Sequence, residues 1–145
     1  MSSKLIELNI VSAHSAIFSG SVSHLIVNGI NGELGIYPGH TALLTSLKPG
    51  QVKTVADDGS ENVFYISGGM LEVQPYSVTV LADTAFRADD IDEAAALAAK
   101  EKAEKALDDN RSELEYSKAL SELAQAVAQL RAINTSRKHG RNVKG

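Results

Sequence analysis

Cysteine and tryptophan are both absent from this chain, and aromatic residues make up only 5% of it. Without cysteine there is no disulfide framework, no thiolate nucleophile and no thiolate-bound metal, a usage that fits a reducing compartment. Few aromatics leave few platforms on which bases could stack, and a net charge of −4 argues against general nucleic-acid binding. Long apolar runs are also missing. The most apolar stretch, Ala94 to Ala99, is far too short to cross a bilayer, and Met1 to Ile10 alternates apolar and polar residues instead of forming a signal peptide. Membrane association is therefore expected only through partners. Catalytic signatures are lacking as well. No GxSxG occurs, the glycines have no Walker or dinucleotide spacing ahead of a helix, and His14, His24 and His40 lack the local spacing of metal ligands. An enzyme would have to rest on scattered histidines or on a Glu33–His40 acid–base pair, and neither has support in the pattern.

What is present divides into two parts with different periods. From Lys4 to Asp83 the chain reads in period two, beginning with Ile6, Leu8 and Ile10 on one face and Glu7 and Asn9 on the other. The pattern recurs at 22–27, 51–56, 63–67, 70–74 and 77–81, separated by turn chemistry at Asp57-Asp58-Gly59, Gly68-Gly69 and Pro75. Short strands at this spacing predict a β-sandwich or flattened barrel.

After Phe86 alanine, lysine and glutamate take over, and glycine and proline vanish until Gly140. Asp89, Asp90, Asp92 and Glu93 crowd a first helical turn, where carboxylates suit the positive end of the helix dipole. Asp108-Asp109-Asn110 interrupts the run, and Ser112-Glu113-Leu114-Glu115 matches a capping box, so a second helix should begin there. Two helices with a short connection predict an antiparallel hairpin. A stripe of Leu120, Leu123, Val127 and Leu130 and a row of Ala124, Ala128 and Ala132 mark the second helix, with Ala96, Ala99, Ala103 and Ala106 on the first. These faces either hold the hairpin shut or meet another surface. Alanine pairs bury little area, so the hairpin is expected to depend on contacts outside itself and to be able to detach.

The segment Asn28 to Gly50 packs glycine, Pro38, Glu33 and His40 into a pattern that reads as one shaped, exposed loop. Its polar residues suit either a solvated turn or a contact site. The basic residues Arg131, Arg137, Lys138, Arg141 and Lys144 all follow the last acidic one, Glu122. A basic helix end complements its own dipole and equally suits an acidic partner.

Several motifs in register carry a resemblance to a known family: Gly32-Glu33-Leu34-Gly35-Ile36-Tyr37-Pro38-Gly39-His40, Leu47-Lys48-Pro49-Gly50, Tyr65-Ile66-Ser67-Gly68-Gly69, Leu71-Glu72-Val73-Gln74-Pro75 and Val78-Thr79-Val80-Leu81-Ala82-Asp83-Thr84-Ala85. With the two-helix tail, the chain resembles the epsilon subunits of bacterial F-type ATP synthases over nearly its whole length. The resemblance implies an all-β ten-stranded sandwich over residues 1–86 and an all-α regulatory hairpin over 87–139, while residues 140–145, with glycine ends, polar residues and no apolar periodicity, are expected to be a frayed tail. It implies a noncatalytic stalk subunit of a proton-translocating rotary complex, coupling rotation to ATP synthesis and inhibiting ATP hydrolysis through its helices. The implied partners are the gamma subunit, the ring of c subunits, and the beta and alpha subunits of the catalytic head, at the cytoplasmic face of the bacterial inner membrane. Glu33 and His40 take the ring-contacting positions, Ser12 a gamma-contacting one, and Arg131, Arg137, Lys138 and Arg141 would meet the head.

One departure stands out. The family's ATP-sensing motif falls on Ile91-Asp92-Glu93-Ala94-Ala95-Ala96, with Ala95 where an arginine would stand. The phosphate-pairing guanidinium is missing, so ATP binding to the isolated subunit is expected to be weak or absent, and no cofactor or metal is expected. A generic binding module, a sandwich recruiting some other protein, would share these interface features and differ in its partner.

Overall fold

The computed structural model describes residues 4–109 and 112–144, with side chains described as far as Lys138. Nine strands come first: β1 (Ile6–Ser12), β2 (Ala16–Val22), β3 (His24–Gly29), β4 (Gly32–Ile36), β5 (Leu43–Val55), β6 (Glu61–Ile66), β7 (Gly69–Gln74), β8 (Ser77–Ala82) and β9 (Ala85–Arg87). A short 3₁₀ turn at Ala88–Asp90 leads into α1 (Glu93–Asp108) and α2 (Glu113–Lys144). The fold is a β-sandwich followed by an antiparallel helical hairpin.

The sheet runs in the order β2-β1-β8-β7-β5-β3-β4, with β6 on β5 and β9 on β6. All pairings are antiparallel except that of β1 with β8. The 13-residue β5 belongs to both layers. Its first part, Leu43–Leu47, pairs with β7, and its second part pairs with β6 from Gly50 and with β3 from Val52, with Gly29 of β3 also reaching Leu47 across a register shift. Pro49 has no N–H to give to a ladder, so the pairing changes hands there and the strand bends. Splitting β5 at this point yields the ten strands of the expected sandwich; nine are continuous among the described residues.

The alternation foreseen in β1 places Ile6, Leu8 and Ile10 wholly inside, where they meet Leu25, Val52, Phe64, Leu71 and Val80 between the layers. Two expectations about the strands need correction. The strand read across 22–27 is broken at Ser23, which separates β2 from β3 while its N–H donates to Val55 O at 2.7 Å. The supposed loop from Asn28 to Gly50 is mostly strand: β4 folds back on β3 and β5 starts at Leu43, leaving the connection 37–42. The turn residues there punctuate very short strands, which hides their alternation.

Both helix starts are capped, α2 by Ser112 as the sequence indicates and α1 by Asp92, which was expected within the first turn together with Asp89 and Asp90 of the 3₁₀ turn. Asp92 Oδ1 accepts from Ala95 N at 3.1 Å, and Ser112 Oγ accepts from Glu115 N at 3.3 Å. Ala96 and Ala103 of α1 are buried, as are Ala119, Ala126 and Ile133 of α2 at seven-residue spacing, with Leu123 and Leu130 half-buried. The expected leucine stripe is thus displaced: Leu120 is 44% exposed, and Ala99 and Ala124 are exposed too. Small residues fill the seam because they let the helix backbones approach. The helical backbone of α2 continues to Lys144, through the segment read as frayed, whose side chains lie outside the described residues.

The hairpin lies on the sandwich. Ala128 and Ala132 of α2 pack against Val63 and Tyr65 of β6, together with Ala88 and the half-buried Ile91. Tyr65 is 1% exposed and its hydroxyl lacks a well-formed hydrogen bond. Burial pushes that hydroxyl above its ordinary pKa, with the side chain of Gln129 offsetting part of the effect.

One glycine is indispensable to the sandwich. Gly69 sits at φ +145°, and a Cβ there would lie 2.0 Å from Leu81 O on the neighbouring strand. Gly69→Ala is expected to cost about 3 kcal/mol, read by urea denaturation of the full chain; a loss below about 1 kcal/mol would contradict this close approach.

Candidate functional site

Glu33 lies on β4 opposite Asn28 of β3 and is exposed. Four residues beyond the end of β4, His40 occupies a short connection that is firmly tied. Gly39 N donates to Pro75 O at 2.7 Å, His40 N donates to Tyr37 O at 3.2 Å, and the Tyr37 ring stacks on His24 with centroids 4.7 Å apart. The expected rigidity is therefore found in residues 37–42. His40 Nδ1 lies 2.8 Å from Thr41 O. A carbonyl can only accept, so Nδ1 carries a proton and points its N–H at Thr41, which leaves Nε2 for a partner. Glu33 and His40 make no hydrogen bond or ion pair with each other among the described residues. The three histidines do not gather either: among the described residues no group of three or more His, Cys, Asp or Glu could hold a metal ion.

A second surface was not legible from spacing alone. On the outer side of the sheet, register aligns Ser46 with Met70, Met70 with Leu81, and Leu81 with Val11. Leu44, two residues from Ser46 and on the same side, is 67% exposed, Leu81 50% and Met70 36%. Directly paired residues point to one face, so these apolar side chains form a strip across β5, β7, β8 and β1. The signal in the sequence was an apolar residue at an outward position in each strand, but only the register shows that they adjoin. Ser12 sits at the end of β1 next to Val11 and shapes the β1–β2 turn, its Oγ accepting from His14 N at 3.4 Å and Ser15 N at 3.3 Å. It lies beside the end of the strip, in phase with the inward Ile10 and paired with Ala82, not on the strip's outer face.

The third surface is the hairpin. Arg137 of α2 forms a two-pronged ion pair with Glu93 in the first turn of α1, including Nη1 to Oε1 at 3.2 Å. Beside it Ser136 Oγ donates to Asp89 Oδ1 at 3.0 Å, tying α2 to the 3₁₀ turn. The basic residues named for one partner are thus separated here. Arg137 is engaged within the hairpin, Arg131 and Lys138 line a groove against the bend of β5, and the side chain of Arg141 lies outside the described residues. Ile91 belongs to the seam between hairpin and sandwich, and Asp92 caps α1. Ala95 is exposed, and its methyl offers nothing to a phosphate.

Comparison with known proteins agrees with this layout. The model of the ATP synthase delta/epsilon chain β-sandwich domain matches residues 5–88, and that of the long α-helix domain of the same chain matches residues 89–134. Among solved structures, a chain of the Euglena gracilis mitochondrial ATP synthase, determined with OSCP, F1 and c-ring in rotational state 1, is similar. Its TM-score is 0.81 at 21% identity, over 92% of this chain and 83% of that one. A chain of the Tetrahymena thermophila mitochondrial ATP synthase central stalk and c-ring is similar with a TM-score of 0.63 at 15% identity, over 92% of this chain and 99% of that one. At these identities the structures speak for the fold. Because the two family models together span the sandwich and most of the hairpin, the chain belongs to the ATP synthase delta/epsilon chain family.

Proposed function

We propose that this chain is a noncatalytic central-stalk subunit of a bacterial proton-translocating rotary ATP synthase, which transmits rotation during synthesis and restrains hydrolysis through its helices. The observation that carries this reading is a rigid sandwich bearing a hairpin attached by an alanine seam and solvent-exposed polar contacts. A transmission element needs the first, and a switch needs the second. The similar Tetrahymena structure is one of a central stalk with its c-ring, which favours the same placement.

In this reading Glu33 and His40 face the c-ring. An exposed carboxylate and a histidine whose Nε2 is left for a partner offer polar ring loops complementary hydrogen bonds, from a connection that is already ordered. The apolar strip of Leu44, Met70 and Leu81 docks on gamma, with Ser12 beside its end. A stalk surface that must carry torque is suited by apolar area that excludes water. Among the described residues no helix is long and apolar enough to cross a membrane, and attachment at the cytoplasmic face of the inner membrane runs through the complex.

The docked hairpin is the state in which hydrolysis is unrestrained. To reach the alpha and beta subunits of the head, α2 leaves Tyr65, and Arg137 exchanges Glu93 for an acidic partner; Arg131, Lys138 and Arg141 travel with it. Both members of the Arg137–Glu93 pair are substantially exposed, so the pair contributes only about 0–1 kcal/mol. Such a fastening biases the switch without locking it. Segment 91–96 holds ATP weakly or not at all, since Asp92 is occupied as a cap and Ala95 supplies no guanidinium.

Two outcomes test this reading. Glu33→Ala and His40→Ala should each reduce ATP-driven proton pumping in reconstituted vesicles, by about tenfold or less, while leaving hydrolysis by the soluble head unchanged. Pumping at the parental level in both variants would refute their placement at the ring. Glu93→Gln removes the charge that holds Arg137, so the concentration needed for half-inhibition of hydrolysis should fall, by up to about fivefold. An unchanged or higher half-inhibitory concentration would mean that the pair does not restrain the helices.

A further inference from the structure

The β3–β4 hairpin carries two Asn-Gly steps, Asn28-Gly29 and Asn31-Gly32, that the functions above do not use, and the fold treats them oppositely. Asn28 belongs to β3, half-buried and paired with Glu33, and Gly29 is buried, paired with Gly32 on one side and Leu47 on the other. A Cβ on Gly29 would meet Gly32 O and a methyl of Leu34, each at 3.1 Å. The Asn28 side chain lies against β5, where a Cβ on Gly50 would stand 3.2 Å from its Cγ. Asn31 has none of this confinement. With Ile30 it makes up the turn between the strands, and Ile30, Asn31 and Gly32 are all exposed. Gly32 sits at φ +128°, and nothing lies within 4 Å of the place where its Cβ would stand.

An asparagine followed by glycine is a reactive step. A residue without a side chain leaves its amide nitrogen open to the asparagine carboxamide and lets the backbone turn to bring the two together. We propose that Asn31 is a site of spontaneous modification, converted to aspartate and isoaspartate, while the fold spares Asn28. Gly32 N gives up its proton and attacks Asn31 Cγ. The new N–C bond closes a five-membered imide as the bond from Cγ to the side-chain nitrogen breaks, and that nitrogen leaves as ammonia. Water then opens the imide at either carbonyl, so one water is consumed and one ammonia released, with no oxidant or reductant. At Asn28 the same closure would require β3 to come away from β4 and β5, an opening that the sheet suppresses. The product is a carboxylate two residues before Glu33. The iso form also adds a main-chain carbon to a turn whose length sets the register of its strands. The modification stands without the stalk reading; only its consequence, altered presentation of Glu33 to the ring, rests on it.

Ageing the full chain at mildly alkaline pH and physiological temperature, followed by peptide mapping with mass spectrometry, tests the site. Acid is expected at position 31, as both aspartate and isoaspartate, at a rate at least about tenfold above that at position 28, which waits on local opening. In concentrated urea the two steps, alike in sequence, should react at similar rates, because the sheet no longer separates them. Asn31→Gln, which would have to close a larger ring, should remove the modification, with thermal unfolding checking that the fold is kept. Under the proposed function the aged chain should support less ATP-driven proton pumping than Asn31→Gln aged alongside it. Equal pumping by the two, with Glu33→Ala still defective, would overturn that consequence. Parental pumping by Glu33→Ala would instead count against the ring placement and not against the modification, which the mass readout decides alone. Three results would overturn the modification itself: no acid at position 31 in the folded chain, equal rates at positions 28 and 31 in the folded chain, or faster reaction at position 28.

Discussion

At the bend of β5, Pro49 withholds an N–H from the ladder and Gly50 lets the strand pass so close to β3 that a Cβ would sit 2.8 Å from that of Asn28. The chain before the bend pairs with β7 in one layer, and the chain after it pairs with β3 and β6 in the other. This turning point closes the sandwich around Leu8, Leu25, Phe64 and Val80. It also sets the position of everything functional. The β3–β4 pair that carries Glu33 hangs from the second part of β5, and Leu44 of the apolar strip comes from the first.

The hairpin is built on different terms. The core of the sandwich is made of large branched and aromatic side chains, whereas the contact with α2 brings alanines against Tyr65 and Val63. Burial at roughly 25 cal/mol per Å² of apolar surface makes the first a strong attachment and the second a modest one. The polar fastenings, Arg137 to Glu93 and Ser136 to Asp89, lie at the exposed end, where water competes with them. Stability is thereby concentrated in the sandwich and is lower in the attachment of the hairpin, which under the proposed function are the parts that transmit force and move. Under the proposed function, a partner worth a few kcal/mol suffices to choose between this hairpin position and an extended one.

Much of this was readable in the residues. Ile6, Leu8 and Ile10 announced β1 because one face of that strand is buried and the other is not, and Ser112 announced α2 because its side chain has the geometry of a cap. Local chemistry decided both. What escaped the reading depends on long-range placement. β4 was hidden among glycines that serve as its turn residues, and β5 was divided by a proline that bends the strand without ending it. Of the two faces read on α2, the alanine row supplied the docking surface through Ala128 and Ala132, while the leucine stripe is only half-buried or exposed, since small residues allow close approach to Tyr65. The strip of Leu44, Met70 and Leu81 required the register of four strands, and Arg137 could not be paired with Glu93 until the hairpin was folded.

The central claim is that the sandwich attaches this chain to the rotor while the helices act on catalysis. The most direct measurement is ATP hydrolysis by an epsilon-depleted bacterial ATPase core, titrated with the full chain and with a version ending at Arg87, the last residue of β9. Inhibition by the full chain, with the shorter version binding but not inhibiting, is the predicted result. Inhibition by the shorter version, or binding by both with inhibition by neither, would contradict it.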